Sequence, residues 1–249
     1  MDVSLAAKSR FLLLDVNQKI MATIALKLQA VRDRVAAAAL RSGRSASSIM
    51  LLAVSKNVPA SYIEDAASAG QRAFGESYVQ EGVKKITALE NWALEWHFIG
   101  PLQSNKTRAV SEHYAWVHAI DRAKVAERLN AARPDHLPPL DVCIQVNVSG
   151  EDSKSGVVPG EEERIAEAVA ALPRLRLRGL MTIPEPTQDE RAQRQRFARL
   201  RELSERLIAS GYSLDTLSMG MSDDLESAVA EGATIVRVGT AIFGARETL

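Results

Sequence analysis

Lys56 closes a short apolar run, Ile49-Met50-Leu51-Leu52-Ala53-Val54-Ser55, and is followed by Asn57-Val58-Pro59. A lysine where a strand leaves the core can have a lowered pKa, because burial disfavours its charged form. The neutral amine is the nucleophile that forms a Schiff base with an aldehyde. The same position suits a lysine that merely snorkels to solvent at a strand end, and taken alone the run weighs toward that plainer reading. Two other stretches could act with it. One is Ser218-Met219-Gly220-Met221-Ser222-Asp223-Asp224, and the other is Arg237-Val238-Gly239-Thr240. Gly220 and Gly239 permit close backbone approach, while Ser218, Ser222 and Thr240 supply hydroxyls, as an anion cradle requires. Each piece also has an ordinary explanation. Ser222 suits a helix N-cap with Asp223 and Asp224 favourable to the dipole, Gly239 suits a turn, and Arg237 could pair with a carboxylate. The two aspartates would repel a phosphate, so they must turn away if one binds.

The elements that would bring these stretches together can be read from the pattern. Apolar residues recur at helical spacing over residues 22–41. Residues 1–20 do not share the pattern of the rest of the chain and read as an upstream extension or an ordinary N-terminal helix. Strands are expected at 50–56, 72–75, 95–99, 116–120, 141–148, 175–183, 214–218 and 234–238. Helices are expected at 61–69, 78–89, 106–112, 123–132, 161–171, 190–209 and 223–230, with Asp121 as an N-cap, a polar turn over 149–155, and Gly70 and Gly211 as helix stops. Regular alternation with no linker argues for one α/β domain with a parallel sheet. Eight units in a chain of 249 residues match a single (β/α)8 TIM-type barrel. No long helix follows the last strand, so the helix over 22–41 is expected to complete the outer ring. The division expected is an extension over 1–20 and a barrel over 21–249. An open doubly wound sheet is the alternative, but no Gly-x-Gly-x-x-Gly follows the first strand. In a barrel, Lys56 and Arg237 lie on neighbouring strands and share the C-terminal mouth, where phosphates bind beside strands seven and eight. An amine, an arginine and a phosphate cradle at one mouth fit pyridoxal 5'-phosphate (PLP).

Composition excludes several other classes. The formal net charge is zero, so no global field draws the protein to nucleic acid or an anionic membrane. Cys143 is the single cysteine, which rules out an intrachain disulfide and a cysteine-based zinc site; its apolar setting suggests an inert thiol. No apolar run approaches the ~20 residues of a membrane span, and a reducing, cytoplasmic setting is expected. His97 lies within a strand and reads as a satisfied core residue; His113, His118 and His136 show no metal-ligand spacing with carboxylates. The arginines between Arg191 and Arg206 alternate with Glu202 and Glu205, as a solvated helix face does.

The sequence resembles the pyridoxal phosphate homeostasis protein family, of the alanine-racemase-like barrel group. The motifs that carry the resemblance are Leu52-Ala53-Val54-Ser55-Lys56, Phe74-Gly75-Glu76 and Trp96-His97-Phe98-Ile99-Gly100-Pro101-Leu102-Gln103-Ser104-Asn105-Lys106. Further ones are Gln145-Val146-Asn147, Gly179-Leu180-Met181, Ser218 to Asp224 with its preceding Leu217, and Val238-Gly239-Thr240-Ala241-Ile242-Phe243-Gly244. They span about Leu51 to Arg246. The resemblance implies that Lys56 holds PLP as a Schiff base, that Ser218, Gly239 and Thr240 hold the phosphate, and that Arg237 faces the pyridine nitrogen. The chain departs from the family pattern at Ser77, where asparagine is usual after Phe-Gly-Glu, and at Asn57, where threonine is.

Two function classes are compatible with it. One is a PLP-binding protein that stores, buffers or delivers the cofactor, with PLP-dependent apoenzymes as recipients. The other is a racemase or decarboxylase. Racemases of this barrel type resemble two-domain dimers, and only a few residues follow strand eight here, so a monomeric, non-catalytic carrier is expected. Arginine only donates, leaving the ring nitrogen unprotonated and a weaker electron sink. Racemases of this fold share that arginine, so the point bears on decarboxylation alone.

Overall fold

The computed structural model describes residues 3–151 and 155–245, with 3–20 by backbone alone. Eight parallel strands close into one barrel in sequence order. They are β1 (Met50–Val54), β2 (Ala73–Glu76), β3 (Glu95–Phe98), β4 (Trp116–Ile120), β5 (Leu140–Gln145), β6 (Leu175–Met181), β7 (Thr216–Ser218) and β8 (Ile235–Val238). Closure is direct: β1 pairs with β2 on one side and with β8 on the other, Leu52 standing opposite Arg237. The helices are α1 (Val3–Arg41), α2 (Ala60–Ser68), α3 (Val79–Ala88), α4 (Thr107–His113), α5 (Ala123–Ala132), α6 (Glu162–Ala170), α7 (Glu190–Ala209), α8 (Leu225–Ala230) and the single turn α9 (Thr240–Phe243).

Strand alternation sorts the core into two compartments. Ala53, Phe74, Trp96, Phe98, Val117, Leu217, Val236 and Val238 pack with the helices. Their neighbours Leu52, Val54, Ala73, Ile99 and Ile235 form a separate cluster inside the barrel. Because α9 is a single turn, the ring between α8 and α2 is filled by α1, which contacts both. Of the apolar residues that recur at helical spacing there, it buries Ile24, Leu28, Val31 and Val35, whereas Leu26 and Leu40 point to solvent at 72% and 80% exposure. Arg34 on the same helix donates to the Ser222 carbonyl at 2.9 Å and pairs with Glu226, so α1 also holds the loop after β7.

Most expected elements appear within a residue or two of their expected bounds, and the exceptions have local causes. The first helix is continuous from Val3 rather than starting at residue 22. β1 stops at Val54, because Asn57 adopts a left-handed backbone (φ 57°) and turns the chain into Pro59. β5 stops at Gln145; beyond it a lone bridge joins Val146 to Val157. Asp121 does not cap α5: Arg122 holds the cap position, and Asp121 is drawn into an ion pair with it. Ser222 is likewise not the cap of α8, a position taken by Asp224. Of the turn expected over 149–155, residues 152–154 lie outside the described residues, as does Arg246 at the end of the family-like span.

Candidate functional site

At the C-terminal mouth, Val54, Lys56, Ser77, Ile99, Ile183, Met221, Ser222, Asp223, Arg237, Gly239 and Thr240 line one cleft of about 230 Å³. That is smaller than the roughly 300–1,000 Å³ of drug-sized pockets, and it suits a small ligand. A larger hollow of about 600 Å³ lies at the other end of the barrel, against α1. Lysine is absent from its lining, and its arginines Arg32 and Arg72 are already donating to the carbonyls of Ala69 and Ala67.

Four of the five residues expected to bind therefore meet: Lys56, Arg237, Gly239 and Thr240. Lys56 is half-buried in the turn just beyond β1. Arg237 is 3% exposed. Its Nη1 donates to the Ser218 carbonyl at 2.6 Å and to Ser218 Oγ at 2.8 Å, and its Nη2 donates to the Thr182 carbonyl at 2.7 Å. Burial lowers its pKa to about 10, with Asp224 opposing, so it stays charged at neutral pH. A guanidinium has five N–H donors, and these bonds use three of them. Ser218, the fifth residue, is fully buried and lies beneath the guanidinium rather than in the lining; its hydroxyl also contacts His118 Nδ1 at 2.8 Å. Ser222 is the serine of that loop that reaches the cleft.

The loop geometry is set by Gly220. Its φ of 92° suits glycine, and a Cβ there would stand 2.5 Å from the Ala228 methyl. The Gly220 carbonyl accepts from the Arg237 backbone N–H at 2.9 Å, tying the two stretches together. Asp224 folds back to accept from the Met221 N–H at 2.6 Å, and burial raises its pKa. It is thus turned away from the mouth, whereas Asp223 is exposed on the cleft rim.

Behind Lys56 stands a polar cluster that the sequence did not reveal. Lys85 Nζ donates to the Ser55 carbonyl at 2.6 Å, to Glu76 Oε1 at 2.9 Å and to Glu81 Oε1 at 2.5 Å. Glu81 Oε1 also accepts from the Asn57 N–H at 2.7 Å, and Ser55 Oγ donates to Glu76 Oε1 at 2.6 Å. The peptide on each side of Lys56 is therefore clamped. Glu76 is fully buried; burial pushes its carboxyl up, while Lys85 and Ser55 pull it down. The i,i+4 spacing of Glu81 and Lys85 was the available signal, but such a pair usually reads as surface.

The remaining candidates resolve simply. Cys143 is buried and burial raises its thiol pKa, the setting of an inert residue. His97 is fully buried with both ring nitrogens engaged. Arginines of α7 pair with Glu185, Glu205 and Glu231. Among the described residues no cluster of histidine, cysteine and carboxylates could hold a metal ion.

Comparison with known proteins points the same way. A family model described as alanine racemase, N-terminal domain, matches residues 26–247. The chain is 57% identical over 227 residues to a pyridoxal phosphate homeostasis protein of Pseudomonas aeruginosa, covering 91% of this chain and 97% of that one. It is 56% identical over 231 residues to the Escherichia coli (strain K12) protein of the same name, covering 91% and 98%. The solved structure of PipY from Synechococcus elongatus with PLP bound aligns at a TM-score of 0.77 and 37% identity, covering 89% of this chain and 100% of that one.

Proposed function

We propose, from the premise that the chain belongs to the alanine racemase N-terminal domain family, that it binds PLP and serves PLP homeostasis by storing, buffering or delivering the cofactor. The observation that carries this reading is the meeting of Lys56, Arg237, Gly239 and Thr240 in one cleft. The names and the PLP-bound state of its relatives support it.

When bound, PLP supplies an aldehyde that a neutral amine can hold covalently. Lys56 is the amine assigned to it, at a turn whose flanking peptides are clamped by Lys85 and Glu81. Arg237, fixed by three hydrogen bonds, directs its remaining donors at the ring nitrogen. Gly239 and Thr240 take the phosphate, and Ser222 joins them from the facing loop. Ser218, assigned to the phosphate from the sequence, supports Arg237 instead. Asp223 on the rim disfavours tight anion binding, which suits a carrier that must release its cargo.

The same reading makes the protein a non-catalytic, cytoplasmic monomer that passes PLP to apoenzymes, with residues 1–20 an extension to the PLP-binding barrel of 21–249. Among the described residues no helix is long and apolar enough to cross a membrane. The test is to incubate the loaded protein with a panel of amino acids and, separately, with a PLP-requiring apoenzyme. Stoichiometric release and activation of the apoenzyme are expected. Steady turnover of any amino acid would replace the carrier reading with the racemase or decarboxylase one.

A further inference from the structure

The barrel interior carries a polar diagonal whose members, apart from Arg237, lie outside the cleft lining. Glu95, His97, His118, Ser218 and Arg237 occupy interior positions, since Trp96, Phe98, Val117, Leu217, Val236 and Val238 beside them pack on the helix side. Each member is in hydrogen-bond contact with the next. Arg237 Nη1 lies 2.8 Å from Ser218 Oγ, which lies 2.8 Å from His118 Nδ1. His118 Nε2 lies 2.9 Å from His97 Nδ1, and His97 Nε2 lies 2.8 Å from Glu95 Oε1. Ser218, His118 and His97 are fully buried, whereas the Glu95 side chain, at the N-terminal end of β3, is 43% exposed. The chain thus crosses the barrel from the mouth to its opposite end.

Its direction is fixed by what each group can do. Arginine only donates, so Ser218 Oγ accepts from it and is left with one proton to give. His118 Nδ1 receives that proton, which places the ring's own hydrogen on Nε2. This donates to His97 Nδ1, and His97 Nε2–H donates to the carboxylate of Glu95. The reverse order would set a bare ring nitrogen of neutral His97 against the carboxylate and leave the Ser218 proton without an acceptor. Burial lowers the pKa of both histidines, so both are neutral and each has one hydrogen to place. The rings are held in place: His97 stacks on Trp116 at 5.3 Å, and Arg178 covers Trp116 at 4.8 Å.

We propose that His118, His97 and Glu95 are positioning residues that act through Ser218 to fix the Arg237 guanidinium in one orientation toward the cleft. The orientation toward a PLP ring rests on the function proposed above; the donor order of the chain does not.

The test uses the full-length protein labelled with 15N at histidine and arginine, read by NMR with and without PLP. In the unliganded protein both His97 and His118 are expected as Nε2–H tautomers, with Arg237 guanidinium hydrogens protected from exchange. His118→Leu should expose those hydrogens to exchange and raise the PLP dissociation constant about threefold, the loss of one neutral hydrogen bond and less than the loss of Arg237 itself. His118→Asn, whose side-chain oxygen can still accept from Ser218, should restore most of both. An Nδ1–H tautomer on either ring overturns the proposal, as does a folded His118→Leu protein with unchanged exchange and affinity. If His118→Leu does not fold, the tautomers of the parent protein decide. A parent protein that takes up no PLP would end the proposed function, while the tautomers and the Arg237 exchange would still judge the chain.

Discussion

Lys85 donates to the carbonyl of Ser55 at 2.6 Å, so an ammonium from α3 holds the peptide bond immediately before Lys56. The same ammonium neutralises the buried Glu76 at 2.9 Å. Removing it therefore leaves a carboxylate without its cation and a turn without its anchor. Lys85→Met is expected to cost roughly 3 kcal/mol in urea unfolding, the range for breaking a buried pair by deleting one partner. Lys85→Met with Glu76→Gln should recover part of that loss, because no charge is then stranded. Strict additivity of the two changes would contradict the clamp.

Acid should destabilise the protein through His118. Its pKa in the folded state lies well below that of a free histidine, chiefly because it is fully buried, with His97 and Arg237 adding to the effect. A depressed folded pKa means that the unfolded chain binds the proton first as pH falls. The contribution is therefore complete above about pH 6.5 and is lost below it, at up to about 1.4 kcal/mol per pH unit. Urea midpoints at pH 7.5, 6.5 and 5.5 measure this. The slope below pH 6.5 should shrink in His118→Leu; an unchanged slope would show that another group carries it.

Arg237→Ala should leave PLP attached through Lys56 but speed its loss about tenfold, since the ring loses a charged donor. The rate can be followed by the fading of the bound chromophore during a chase. A dissociation rate equal to that of the parent would remove Arg237 from the site.

Deleting residues 1–20 should leave both the melting temperature and the PLP dissociation constant unchanged. The apolar stripe of α1 on the barrel includes Ile24, Leu28, Val31 and Val35, beyond the deletion. A clear fall in melting temperature would show that the segment packs on the barrel and is part of the domain.

The sequence displayed the frame of this molecule more fully than its interior wiring. Parallel strands covered on both faces read as apolar runs, and glycine stops such as Gly211 (φ 100°) mark helix ends, so the barrel could be counted from the chain. That Lys56, Arg237, Gly239 and Thr240 share one mouth was legible because each follows or ends a countable strand. Ser218 was assigned to the phosphate through the family resemblance; only the side-chain geometry shows that its hydroxyl meets Arg237 and His118. Glu95 and His97, two residues apart, could be placed on one strand face, but the pairing of His97 with His118 depends on barrel packing. Lys85 carries no signal in the sequence that sets it apart from a solvent-facing helix lysine, yet it is 7% exposed and reaches the Ser55 carbonyl beside Lys56. Ser77, which departs from the family pattern, does line the cleft.

The proposed function depends above all on the amine of Lys56 holding PLP. Borohydride reduction of the PLP-loaded protein, followed by proteolysis and mass mapping, reads this out. A single pyridoxyl adduct is expected on the peptide containing Lys56, absent from Lys56→Ala. An adduct found solely on another lysine, or one that persists in Lys56→Ala at full yield, would contradict the assignment.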